Sequence, residues 1–103
     1  MTRHTMEEKL VPVEWHYPEE LLSRYATNMI VQHSDHEFVI QFFEVLPPLV
    51  LGTPEEQKVQ LGGIKSVRAE CVARVIVAPE RMPEFVRVLQ DNLEKYHSKR
   101  EEE

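Results

Sequence analysis

Residues 38–45, Phe-Val-Ile-Gln-Phe-Phe-Glu-Val, constrain this chain more than any other segment. Their β-branched and aromatic side chains favour a strand, and along a strand successive residues point to opposite faces. Phe38, Ile40 and Phe42 therefore share one face, while Val39, Phe43 and Val45, with Gln41 among them, share the other. Both faces are apolar, so both need cover. A chain of 103 residues makes one domain at most, and it carries few elements that could provide that cover.

The remaining elements follow from periodicity and turn chemistry. Residues 26–32 and 37–45 flank the turn-forming His33-Ser34-Asp35-His36, which predicts a hairpin over about 26–45. Pro47-Pro48 ends its second strand, since neither residue offers an amide hydrogen. A third strand is expected over about 66–77, with Val67, Ala69, Cys71, Ala73, Val75 and Val77 on one face and Cys71 acting as a small buried hydrophobe. Met82, Phe85, Val86, Leu89, Leu93 and Tyr96 recur at three- and four-residue spacing and predict an amphipathic helix over about 83–97. Pro83 would clash with the carbonyl of Pro79 in one continuous helix, so a separate turn is expected at 79–82.

Three further segments are less regular. Val11 to His16 is an extended run in which Pro12 withholds a ladder hydrogen bond, as in an edge strand or an arm. Pro18 followed by Glu19 and Glu20 suits the first turn of a short helix reaching Tyr25. Gly52, Pro54, Gly62 and Gly63 punctuate a connection from Leu49 to Lys65 that reads as a long loop. The expected fold is α+β: an antiparallel sheet of three to four strands with the C-terminal helix on one face. Residues 1–10 are expected to be a flexible N-terminus, 11–97 the single domain, and 98–103 a charged tail that frays.

One helix of that length covers one face of such a sheet and not two. Oligomerisation is a common remedy in small domains with too little core. The sequence therefore predicts a homodimer or larger assembly, with sheet-face packing of two subunits favoured over edge pairing and Phe38, Val39, Phe43, Val45, Leu49 and Leu51 as candidate interface residues. The triplet Leu49-Val50-Leu51 admits two readings: it caps the core of its own subunit, or it reaches across to a neighbour.

Charge and composition narrow the function. The balance of 18 acidic against 12 basic residues gives a formal charge of −6, and the basic residues are scattered, which argues against a nucleic-acid partner. A single cysteine, no signal-peptide pattern and no apolar run long enough to cross a bilayer lead to the expectation of a cytoplasmic protein without a membrane partner. No glycine-rich phosphate loop, nucleophile elbow or facing pair of carboxylates occurs, so no enzymatic activity and no cofactor are expected. His33 and His36, three apart with Asp35 between them, are the one candidate metal pair, for zinc or nickel. They need a further ligand such as His16, and turn formation already accounts for their neighbours.

The expected function is a non-catalytic, oligomeric interaction or adaptor module that holds another protein or an unfolded segment on an apolar sheet face or edge. The alternative is a small-molecule or metal-binding regulatory protein using the His33/His36 turn.

Several stretches also carry a resemblance. Tyr25-Ala26-Thr27-Asn28-Met29-Ile30-Val31-Gln32-His33-Ser34, then Glu37-Phe38-Val39-Ile40-Gln41-Phe42, and later Ala73-Arg74-Val75-Ile76-Val77-Ala78-Pro79-Glu80 leading into Leu89-Gln90-Asp91-Asn92-Leu93-Glu94-Lys95-Tyr96, resemble a small bacterial family catalogued as domain of unknown function 3467. The likeness covers about residues 25–47 and 66–97. It departs at Ala78, where members usually carry a capping Thr or Ser, and at Pro83; residues 47–65 look like an insertion relative to shorter members. The resemblance implies the strand, turn and helix layout and no activity. In layout alone the chain is also similar to the SecB-like export-chaperone fold.

Overall fold

The computed structural model describes residues 10–102. Three strands, β1 (Asn28–His33), β2 (Phe38–Leu46) and β3 (Arg68–Val77), form one antiparallel sheet in that order. Helix α1 (Pro54–Gly62) lies between β2 and β3, and a 3-10 turn (Pro79–Arg81) leads into helix α2 (Met82–Glu102). This is the α+β fold that the periodicity predicts, with three strands. The segment 1–10 expected to be flexible lies outside the described residues except for Leu10, as does Glu103 at the other end.

The hairpin pairs His33 with Phe38 at its turn and Asn28 with Phe43 at its open end. Ser34 closes the turn, its N–H donating to the Glu37 carbonyl at 2.9 Å while its hydroxyl accepts from the His36 N–H at 3.3 Å. Thr27 fastens the open end. Its N–H donates to the Phe43 carbonyl at 2.8 Å, and its hydroxyl oxygen accepts from the Val45 N–H at 2.9 Å.

β3 pairs with β2 along the whole strand but not in one phase. Phe42 opposes Ala73 and Phe43 opposes Cys71, so Val72 is an extra residue without a partner across the ladder. Such a bulge reverses which face each residue occupies. Ala73, Val75 and Val77 share a face with Phe42, Ile40 and Phe38, whereas Ala69 and Cys71 share the opposite face with Val45 and Phe43. The single uninterrupted face expected from Val67 to Val77 is thus split, and Cys71, expected to be buried, is exposed. Glu44 and Glu70 stand directly opposite each other, a repulsive arrangement that Arg68 relieves through an Nε–Oε1 contact of 3.3 Å with Glu70.

The connection after β2 is not the structureless loop expected. Thr53 starts α1 with a reciprocal cap: its hydroxyl accepts from the Glu56 N–H at 3.2 Å, and the Glu56 carboxylate accepts from the Thr53 N–H at 2.9 Å. Gln57 and Gln60 donate their side-chain amides to the carbonyls of Gly52 and Leu51, at 2.9 and 2.7 Å. Gly52 has φ +102°, where an L side chain is strained, and a Cβ there would meet the Glu56 carboxylate at 2.8 Å and push it from its cap.

Other expectations are corrected near the ends. The short helix over Pro18–Tyr25 is absent; the Leu21 N–H donates to the Pro18 carbonyl at 3.1 Å in a single turn and the rest is neither helix nor strand. Leu21, Leu22 and Tyr25 are all exposed, so no packing supports a helix there. Ala78 gives no side-chain cap, and the Pro79–Arg81 turn precedes the regular helix, as the two prolines require. α2 continues past its expected end near 97 to Glu102, because Lys99, Arg100, Glu101 and Glu102 are good helix formers even without an apolar face.

Within one chain this architecture encloses little. Val77, 4% exposed, is the one buried side chain among the described residues. The radius of gyration is 20.9 Å, against about 13 Å for a compact chain of this length.

Candidate functional site

The sheet brings the two faces of β2 to very different surroundings. On one face Met29 and Val31 of β1, Ile40 and Phe42 of β2, and Val75 and Val77 of β3 form a continuous apolar floor. The first turns of α2 stand beside it and contribute Met82, Phe85 and Leu89, leaving a groove of ≈ 520 Å³ between helix and sheet. Farther along the helix, Leu93 and Tyr96 are exposed.

The other face is mixed. Gln41 sits opposite Ile30 on one side and Arg74 on the other, and its side-chain Nε2 donates to the Gln32 side-chain Oε1 at 3.3 Å. Around this polar row lie Val39 with Ile76 and, beyond the row, Phe43 with Cys71. Ile76 is 63% exposed, so this face too is left open by the chain's own elements.

The candidate interface residues divide between these places. Phe38 belongs to the groove face, while Val39, Phe43 and Val45 belong to the mixed face; all four are half-buried within the single chain. Leu49 and Leu51 lie on neither face but in the connection ahead of α1, and both are exposed. Met29 and Val31 were not singled out from sequence, and Val75 was read there only as part of a single β3 face. Counting outward from the His33–Phe38 pair assigns the first two to the Ile40/Phe42 face, a signal that sequence alone contains.

The groove holds little that could do acid–base chemistry. Glu84 is the one charged residue on its lining, and its carboxylate lies 3.2 Å from the Arg81 guanidinium. The Glu56 carboxyl is held below the ordinary carboxylate range by the Thr53 backbone N–H and then by the Thr53 hydroxyl, and it belongs to the cap of α1, away from the groove. What the groove offers is apolar contact: room for aliphatic and aromatic side chains against a fixed floor.

The histidines do not gather. His33 ends β1 with its ring tilted against Phe38 at a centroid distance of 5.5 Å, His36 lies in the hairpin turn, and His16 is 3.8 Å from Glu14. Among the described residues no three His, Cys, Asp or Glu side chains are placed to hold a metal ion. Nor, among them, is any helix long and apolar enough to cross a membrane.

The family model for the protein of unknown function DUF3467 matches residues 1–102. The chain belongs to the DUF3467 family. The match takes in the N-terminal segment and residues 47–65 as well as the stretches whose resemblance was visible in the sequence. No curated protein and no solved structure matches this DUF3467 chain.

Proposed function

We propose that this DUF3467 protein is a non-catalytic, cytoplasmic interaction module that works as a homo-oligomer, its apolar sheet faces serving for self-association and for holding a protein segment. The observation that carries this reading is the sheet itself, apolar on one face and mixed on the other, with a single enclosed side chain among the described residues. The chain exposes 10078 Å², whereas a compact monomer of 12.1 kDa exposes roughly 6,000 Å². The excess, on the order of 4,000 Å², exceeds the one thousand to two and a half thousand that each partner of an obligate dimer contributes. Association is therefore the economical way to complete the core, and a groove whose one charged lining residue, Glu84, is paired with Arg81 suits binding better than catalysis.

Size-exclusion chromatography with light scattering at micromolar concentration tests it. A dimer or larger species is expected, with residual binding of an apolar fluorescent dye marking the surface left for a partner. A strict monomer sinks the proposal.

A further inference from the structure

The segment ahead of the sheet carries a strand's pattern without a strand's partners. Val11, Val13, Trp15 and Tyr17 alternate with Pro12, Glu14 and His16, the period of a half-buried strand. Yet the backbone there forms no helix or strand and, among the described residues, pairs with nothing; Trp15 is 84% and Tyr17 86% exposed. We propose that residues 11–17 add as a fourth strand to the open edge of β1 in a second copy of the chain, each copy giving an arm and receiving one.

Three features of the molecule fit this exchange. Along an antiparallel ladder the N–H and C=O of one residue point to the same side, and the side alternates. With Val11, Val13, Trp15 and Tyr17 facing the receiving strand, the residue lacking an N–H, Pro12, faces solvent, which is where an edge strand tolerates proline. The two sheet edges also differ. β3 is guarded by Arg68, Glu70, Arg74 and the bulge at Val72, whereas β1, Asn-Met-Ile-Val-Gln-His, has no proline, lysine, arginine or bulge. Its six residues match an arm of seven.

The area argues for a second copy over a fold-back within the chain. The excess of about 4,000 Å² per chain is more than each partner of an obligate dimer usually contributes, which leaves area for an exchanged arm as well as a face contact, and reciprocal arms make a closed two-fold contact in which the same patch serves both subunits. The inference rests on the oligomeric reading above, and the experiment separates the two.

Trp15 is the sole tryptophan, so its emission reports on the arm in the intact chain. A dilution series followed by light scattering and fluorescence is expected to show a red shift in step with dissociation. Val13→Pro removes an inward N–H and is expected to raise the dissociation constant on the order of 10–100-fold, one bond being lost in each of two arms. Glu14→Pro removes an outward N–H and is expected to change it less than about threefold. Amide exchange on the unaltered protein, with Val13, Trp15 and Tyr17 slower than Glu14 and His16, reads the same alternation without any variant. A wild-type monomer overturns both readings. A dimer that Val13→Pro leaves unchanged, or that both prolines weaken alike, overturns the arm exchange and leaves the oligomer standing. Blue-shifted emission that does not change on dilution means that the arm pairs with its own sheet, which also overturns the proposal.

Discussion

The arm from Leu10 to Tyr17 and helix α1 are both surface segments with exposed side chains, yet they are held in opposite ways. α1 is nearly self-sufficient. Its cap, its two glutamine side chains and Gly52 satisfy the backbone groups at its start without help from the sheet. The arm has stronger apolar patterning and no local support at all. On the proposed arm exchange, exposure in a single chain has two meanings: α1 is exposed because it needs no cover, and the arm because its cover lies in a second copy.

The sharpest way to break this comparison is to truncate a large exposed side chain in each segment. Trp15→Ala is expected to cost about 2–4 kcal/mol per chain in the assembled protein, read as a lowered midpoint in denaturant at fixed protein concentration, because the proposed arm exchange buries the indole. A cost near zero would put the arm in the same class as α1. Thr53→Ala is expected to cost about 1 kcal/mol and to leave the mass in solution unchanged, since it removes a cap and touches no apolar surface.

Acid gives a smaller and purely local effect. Folding lowers the pKa of Glu56, so its contribution is fully present above the unfolded carboxylate range and is lost as pH falls through the lowered value. The Thr53 and Glu56 amide resonances are expected to shift together in that window while the β1 and β2 resonances hold. Smallest of all, Val59→Ala, at a residue 77% exposed, is expected to stay within about 0.5 kcal/mol by thermal melting. A loss as large as that for Trp15→Ala would mean that α1 too is covered in the assembly.

Much of the fold was legible because long segments repeat one period. The hairpin, the third strand and the C-terminal helix each carry enough alternating or helical spacing to overrule local ambiguity. α1 escaped notice because Gly52, Pro54 and Gly62 look like loop punctuation, although Thr53 and Glu56 at cap spacing were there to be read. The helix expected at Pro18 had the right first turn in Glu19 and Glu20 but no surface for Leu21 and Leu22 to pack on, and terminal signals alone do not sustain two turns. The site was half legible. Periodicity sorted β2 into two apolar faces, but which face carries the groove depends on where α2 turns back, and that is set by Pro79, Arg81 and Met82 in three dimensions.

The bulge at Val72 has a wider consequence for how β3 tolerates change. The strand is two short rulers joined out of step, one from Arg68 to Cys71 and one from Ala73 to Val77. Deleting one residue at the join would restore a single ruler and carry either the charged Arg68–Glu70 end or the Val75–Val77 end to the wrong side of the sheet. A substitution at Val72 disturbs one side chain, but a one-residue deletion there inverts half a strand. Length, more than residue identity, is what this position holds fixed.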